Sequence, residues 1–178
     1  MLHSVIYSLI NQNEIVHYKI DHTEFGSPAT ETRFNGKSYY QLSRDAAIDV
    51  MKKVVAGNDD YSIYFHCRIG ADRTGTLAYL LEGVLGVPTE YRYQDYELTT
   101  FFGLRERTRY YYMKDSTNDM YKFIYLKKAI RHATLGNDEI TGEENVMDWF
   151  LLEGNSTSEC SDITALINQF RAKMIDYN

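Results

Sequence analysis

Proline occurs twice, cysteine twice and tryptophan once in this chain of 178 residues, and no apolar run approaches the length of a membrane span. A crossing helix needs about 20 consecutive apolar residues, so none is expected here. Two cysteines in unlike settings do not make the disulfide framework of a small secreted scaffold. Met1–Ile10 lacks the basic start and continuous apolar core of a signal peptide. Secretion therefore has no support at this end, although a leader already removed would leave no trace, and a cytoplasmic setting is slightly favoured. Positive charge is also short: the formal net charge is −6, which argues against nucleic acid or an anionic membrane as a general partner. Any anion has to be recognised by local basic groups. There is no internal repeat or low-complexity tract. With 44% hydrophobic residues the chain can bury one substantial core but not two, so a single domain over residues 1–178 is expected.

What the chain does have is concentrated in Tyr64-Phe65-His66-Cys67-Arg68-Ile69-Gly70-Ala71-Asp72-Arg73-Thr74-Gly75-Thr76. The preceding Tyr61–Phe65 is aromatic and β-branched and reads as a short buried strand. Gly75 through Leu85 carries helical apolar periodicity and stops at Gly86. A loop between strand and helix points successive backbone N–H groups inward and is backed by the positive end of the helix dipole, which together make an anion site. Cys67 lies at the base of that loop, where the same groups stabilise a thiolate and lower the thiol pKa below its free value of about 8.5. Arg73, six residues later, has the planar fork that can hold two phosphate oxygens at once. Gly70 and Gly75 suit close approach of backbone to an anion. Thr74 can offer its hydroxyl to the sulfur, and His66 can orient the loop through a backbone hydrogen bond.

The run His66-Cys67-Arg68-Ile69-Gly70-Ala71-Asp72-Arg73-Thr74-Gly75 resembles the signature loop of the protein tyrosine phosphatase superfamily, and most closely the bacterial tyrosine and dual-specificity phosphatases with a His-Cys-x-x-Gly-x-Asp-Arg-Thr-Gly loop. The following Thr76–Val87 and Asp95–Thr99 are similar to the same group, so the resemblance covers roughly residues 60 to 102. It implies an α/β fold, with a central sheet flanked by helices and a mainly helical C-terminal half. It also implies a two-step reaction in which Cys67 attacks phosphorus to give a cysteinyl-phosphate that water hydrolyses. Arg68, Ile69, Gly70, Ala71, Asp72 and Arg73 would surround the phosphate, and no metal or other cofactor would be needed because Arg73 and the loop amides neutralise the developing charge.

The leaving group still needs a proton, a contribution worth about 10²–10⁴ in rate. The family acid is usually an aspartate in a Trp-Pro-Asp segment well before the cysteine, but the single tryptophan here is Trp149. Asp21, at the end of the strand-like Glu14–Ile20, is the first candidate. Asp72 is the second, because some related lipid phosphatases carry the acid immediately before the arginine; it could equally orient Arg73 or a water. Glu24 is a third. The resemblance also implies further strands upstream of Glu14–Ile20, so a truncated or minimal version is expected, which bears on the substrate pocket more than on the chemistry.

Along the rest of the chain, Asp21–Gly36 reads as a polar loop with a turn at Gly26-Ser27-Pro28, long enough for a lid. Ser38–Ala56 reads as a helix closed by Gly57. Further helices are expected from a Thr89 cap to about Phe102, from Ser116 to about Thr134, from the Thr141/Glu144 capping box to Glu153 and from about Asp162 to Ile175. Cys160 reads as an incidental thiol. The 16 tyrosines read mostly as half-buried packing.

Arg105, Arg107 and Arg109 could line the entrance for a polyanionic substrate or form a solvated loop, with equal weight. Three functions stay open: hydrolysis of protein phosphotyrosine, hydrolysis of a phosphoinositide or inositol phosphate using Arg68, the Arg105–Arg109 cluster and Asp72, and phosphate binding without turnover. The partners implied are a phosphorylated protein or peptide, or an inositol phosphate.

Overall fold

A computed structural model of the chain describes residues 32–34, 37–57, 63–66, 73–98, 130, 146–152 and 156–175. Strand β1 (Thr32–Phe34) pairs antiparallel with β2 (Lys37–Ser38), with Thr32 opposite Ser38 and Phe34 opposite Lys37. Five helices follow among the described residues: α1 (Tyr39–Ala56), α2 (Arg73–Leu85), α3 (Thr89–Leu98), α4 (Val146–Leu152) and α5 (Thr157–Ile175).

Helix α2 is the centre of the packing and touches α1, α3, α4 and α5. Its sequence explains this. Leu77, Tyr79, Leu80, Leu81 and Val84 are all buried although they point around more than one side, as expected of a helix enclosed by others. Helix α1 brings Ala46, Ala47, Val50 and Met51 to the core, and α5 brings Ile167 and Phe170. Both sets recur at three- and four-residue spacing, so each helix buries one stripe. Helix α4 contributes Trp149 and Phe150, which are fully buried and meet edge to face at 5.1 Å. Gly83 lets α4 approach α2. A Cβ built there would lie 2.6 Å from Val146 Cγ2, so a side chain at this position would push the helices apart. Ile130, also helical, is buried in the same core.

The helix ends are tied to neighbouring elements by cations and one thiol. Arg44 on α1 is buried and donates through Nε and Nη2 to the Phe150 carbonyl at 3.0 and 2.9 Å. Cys160 Sγ donates to the adjacent Leu151 carbonyl at 3.2 Å. From the last turns of α5, Arg171 donates to the Val84 carbonyl and Lys173 to the Gly57 carbonyl. Terminal carbonyls lack partners inside their own helix, so each donor satisfies a group that burial would otherwise penalise.

The helices expected at 38–56 and 75–85 are present, with α2 beginning two residues early. Gly86 has φ +82°. Its N–H donates to the Gly83 carbonyl at 3.1 Å, and Val87 N–H donates to the Glu82 carbonyl at 2.9 Å. This pair of bonds is a Schellman motif, which a glycine in the left-handed region closes without strain. Three other expectations change. The helix placed after Thr89 is capped by Pro88, whose carbonyl accepts from Arg92 N–H at 3.2 Å. The Thr89 hydroxyl instead accepts from Arg92 Nη2 at 2.7 Å. The last helix starts at Thr157 rather than Asp162, because Ser156 and Glu159 form a reciprocal capping box. Ser156 N–H donates to Glu159 Oε2 at 2.8 Å, and Glu159 N–H donates to Ser156 Oγ at 3.3 Å. The loop expected over 21–36 ends in strand β1, whose pairing follows from the Asn35-Gly36 dipeptide between two extended residues, a strong hairpin signal.

The buried strand expected at Tyr61–Phe65 is not seen in its described part. Residues 63–66 lie outside helix and sheet, with Ile63 and Tyr64 exposed and only Phe65 packed against the core. Aromatic and β-branched residues favour a strand only where a neighbouring strand covers them, and the one sheet among the described residues is β1–β2. Glu14–Ile20, most of 116–134, Thr141, Glu144 and Phe102 lie outside the described residues.

Candidate active site

Arg73 is the first residue of α2, and the run Cys67–Asp72 leads into it in sequence. A helix of 13 residues presents unpaired N–H groups and the positive end of its dipole at this start. Two threonines occupy the first turns. Thr76 is buried. Thr74 Oγ1 is buried without a hydrogen-bond partner among the described residues. A hydroxyl in that state carries a desolvation penalty that an acceptor placed before the helix would relieve. Thr74 is expected to serve the sulfur of Cys67, which lies outside the described residues. No acidic residue occupies the first turn of α2.

The His66 ring is exposed and stacks on Tyr64 with centroids 5.4 Å apart and planes inclined by 26°; the loop that it is expected to orient lies outside the described residues. Tyr64 is itself 85% exposed. The two aromatics form a surface pair immediately before Cys67 in the chain. Cys67, Arg68, Ile69, Gly70, Ala71 and Asp72 lie outside the described residues, as do Asp21, Glu24, Arg105, Arg107 and Arg109.

The other end of α2 holds a group that the sequence reading passed over. Glu82 is half-buried, and its Oε2 is buried without a hydrogen-bond partner among the described residues. Burial pushes its carboxyl up to about 7; the nearby Asp95 pushes the same way and Arg92 opposes both. The signal was available in Leu80-Leu81-Glu82-Gly83-Val84-Leu85, where a single carboxylate interrupts an apolar run. Arg92 is buried against the same region. Its Nε donates to the Val87 carbonyl at 3.1 Å, and its guanidinium lies 4.5 Å above the Tyr79 ring. Tyr79 stacks in turn on Tyr93 at 6.1 Å.

Compared with known families, residues 7–166 match the tyrosine phosphatase family. The chain belongs to the tyrosine phosphatase family. Its members are cysteine-dependent hydrolases with an α/β fold, and they act on phosphorylated substrates. No curated protein and no solved structure gives a significant match. The match takes in β1, β2, α1 to α4 and the first half of α5, so the helical packing around α2 falls within the family's span. None of the described helices is long and apolar enough to cross a membrane.

Proposed function

We propose that this tyrosine phosphatase family member hydrolyses phosphomonoesters through a cysteinyl-phosphate on Cys67, within a single domain over residues 1–178. The observation that carries the reading is the run His66-Cys67-Arg68-Ile69-Gly70-Ala71-Asp72-Arg73-Thr74-Gly75 leading into the start of α2. In this reading the Cys67 thiolate attacks phosphorus in line with the leaving oxygen, so the S–P bond forms as the P–O bond breaks. The Arg73 guanidinium and the backbone N–H groups of residues 68–73 hold the equatorial oxygens as their charge grows. Thr74 Oγ1, lacking a partner among the described residues, donates to the sulfur when it departs in the second step. A water then adds to phosphorus and releases inorganic phosphate. No step calls for a metal.

Asp21 and Asp72 are the two candidates for the acid that protonates the leaving oxygen and afterwards activates the water. A His-Cys-x-x-Gly-x-Asp-Arg-Thr-Gly loop favours the bacterial tyrosine and dual-specificity branch, with protein phosphotyrosine as substrate. Arg68 and Asp72 within the loop also suit an inositol phosphate, a second reading that Arg105, Arg107 and Arg109 would support if they border the pocket.

The test is hydrolysis of para-nitrophenyl phosphate by the purified chain in chelator and reductant, beside Cys67→Ser. The expected outcome is turnover by the native chain, and loss of turnover with vanadate or phosphate binding kept in the variant. Full activity in Cys67→Ser would overturn the mechanism, and tight vanadate binding without turnover in the native chain would leave only a binding protein. A panel of phosphotyrosyl peptides and inositol phosphates then separates the two substrate classes. For the acid, Asp21→Asn and Asp72→Asn are compared on aryl phosphates. The variant that loses about 10²–10⁴ in rate with a poor leaving group, and much less with a good one, identifies it.

A further inference from the structure

Glu82 plays no part in the chemistry proposed above, and it is half-buried on the helix that α3 packs against. It begins the last turn of α2. Its Oε2 is buried without a hydrogen-bond partner among the described residues. A neutral carboxyl tolerates that position, whereas a carboxylate there lacks the water or donors it needs.

Among the described charged groups, two act on it, and both are on α3: Asp95, which is exposed, and Arg92, which is buried. The Arg92 guanidinium is already directed to the Val87 carbonyl, the Thr89 hydroxyl and the Tyr79 ring, so its attraction for Glu82 does not offset the burial. Three cations of the other helices around α2 are engaged elsewhere, and Lys52 and Lys53 of α1 are not among the groups that act on Glu82. Arg44 of α1 is on the Phe150 carbonyl, and Arg171 and Lys173 of α5 are on the Val84 and Gly57 carbonyls. The described carboxylates of α1 and α4, namely Asp45, Asp49 and Asp148, are not among the groups that act on Glu82.

We infer that the junction of α2 and α3 is a proton-controlled latch: neutral Glu82 lets α3 lie closed on α2, and ionised Glu82 favours an opening of α3 that lets water reach the carboxylate and separates it from Asp95. The proton is exchanged with solvent and no other group changes. Because the carboxyl titrates near 7 when the latch is closed and near 4.5 when it is solvated, the closed form holds the proton over the interval in which the open form has released it. Closure is therefore strongest below about 4.5, weakens as pH rises to about 7 and is level above that.

The experiment is hydrogen exchange on the whole chain, read by mass spectrometry from pH 5 to pH 8 after correction for the intrinsic dependence of exchange on pH. Peptides from α3 are compared with peptides from α5 as an internal reference. In the native chain α3 protection should fall severalfold across this range while α5 protection stays level. Glu82→Gln, which keeps the shape and removes the charge, should hold α3 protection constant. Asp95→Asn, at an exposed position, should move the change to lower pH by removing the like charge. Parallel behaviour of native and Glu82→Gln chains, or α3 protection that is independent of pH in the native chain, would overturn the inference. So would a Glu82 carboxyl that titrates in the ordinary carboxylate range when followed by carbon NMR. Phosphatase turnover does not enter the readout, so this test stands or fails apart from the proposed function.

Discussion

The two ends of α2 are built to opposite specifications. At the C-terminal end the backbone groups are paired: Gly86 and Val87 close the Schellman bonds, Arg92 takes the Val87 carbonyl and Arg171 takes the Val84 carbonyl. At the N-terminal end Thr74 Oγ1 is buried without a partner among the described residues, and no acidic residue occupies the first turn. Pairing stabilises, and a group left without a partner costs free energy until something binds to it. One end therefore anchors the helix in the core. The other keeps a positive dipole and a hydroxyl for an anion. The chemistry proposed for Cys67 falls at the end with the unpartnered hydroxyl.

Substitutions at the two ends should accordingly separate activity from stability. The largest effect is expected for Arg73→Lys, which keeps the charge but loses the planar fork. Turnover should fall by on the order of 10²–10³, the loss typical of removing one preorganised donor to a developing oxyanion. Its thermal midpoint should stay near the native value, and a midpoint lowered by many degrees would make the arginine a structural residue. The smaller effect is expected for Gly86→Ala. A Cβ there meets nothing within 4 Å, so the cost is the left-handed backbone alone, φ +82°, about 1–2 kcal/mol. Chemical denaturation should register that loss while turnover per folded molecule is unchanged. If Gly86→Ala instead slowed turnover without loss of stability, the anchored end would be part of the active machinery and the contrast would fail.

Much of this arrangement was legible in the residues. The run Cys67–Gly75 pointed to a cysteine-dependent phosphatase because that reaction needs a nucleophile, a bidentate cation and close-approaching backbone at set intervals, and the family match agrees on the class of enzyme. The stop of α2 at Gly86 was equally plain, since a glycine after an apolar helical run suits a left-handed C-terminus. Other features were misjudged for identifiable reasons. The last helix was started too late because Ser156 and Glu159 were not paired as a capping box. Strand β1 falls within the stretch expected as loop over 21–36, where a polar sequence hides a short strand, and Ser38, expected to open the helix, ends β2 instead. Propensity alone predicts an interior strand at Ile63 and Tyr64, yet both are exposed, because burial of a strand depends on what lies beside it.

The sequence by itself determined the enzyme class and the position of the helix that follows Cys67. Both depend on residue types at short separations, which the order of the chain specifies directly. Only the tertiary structure decided that Arg44 closes the end of α4 from 106 residues away, that Gly83 admits Val146 against α2, and that Glu82 is held between burial and the charges of α3. Those outcomes depend on which distant groups the packing brings together. The free energy of a charge or carbonyl is set by its neighbours in space rather than by its neighbours in the chain.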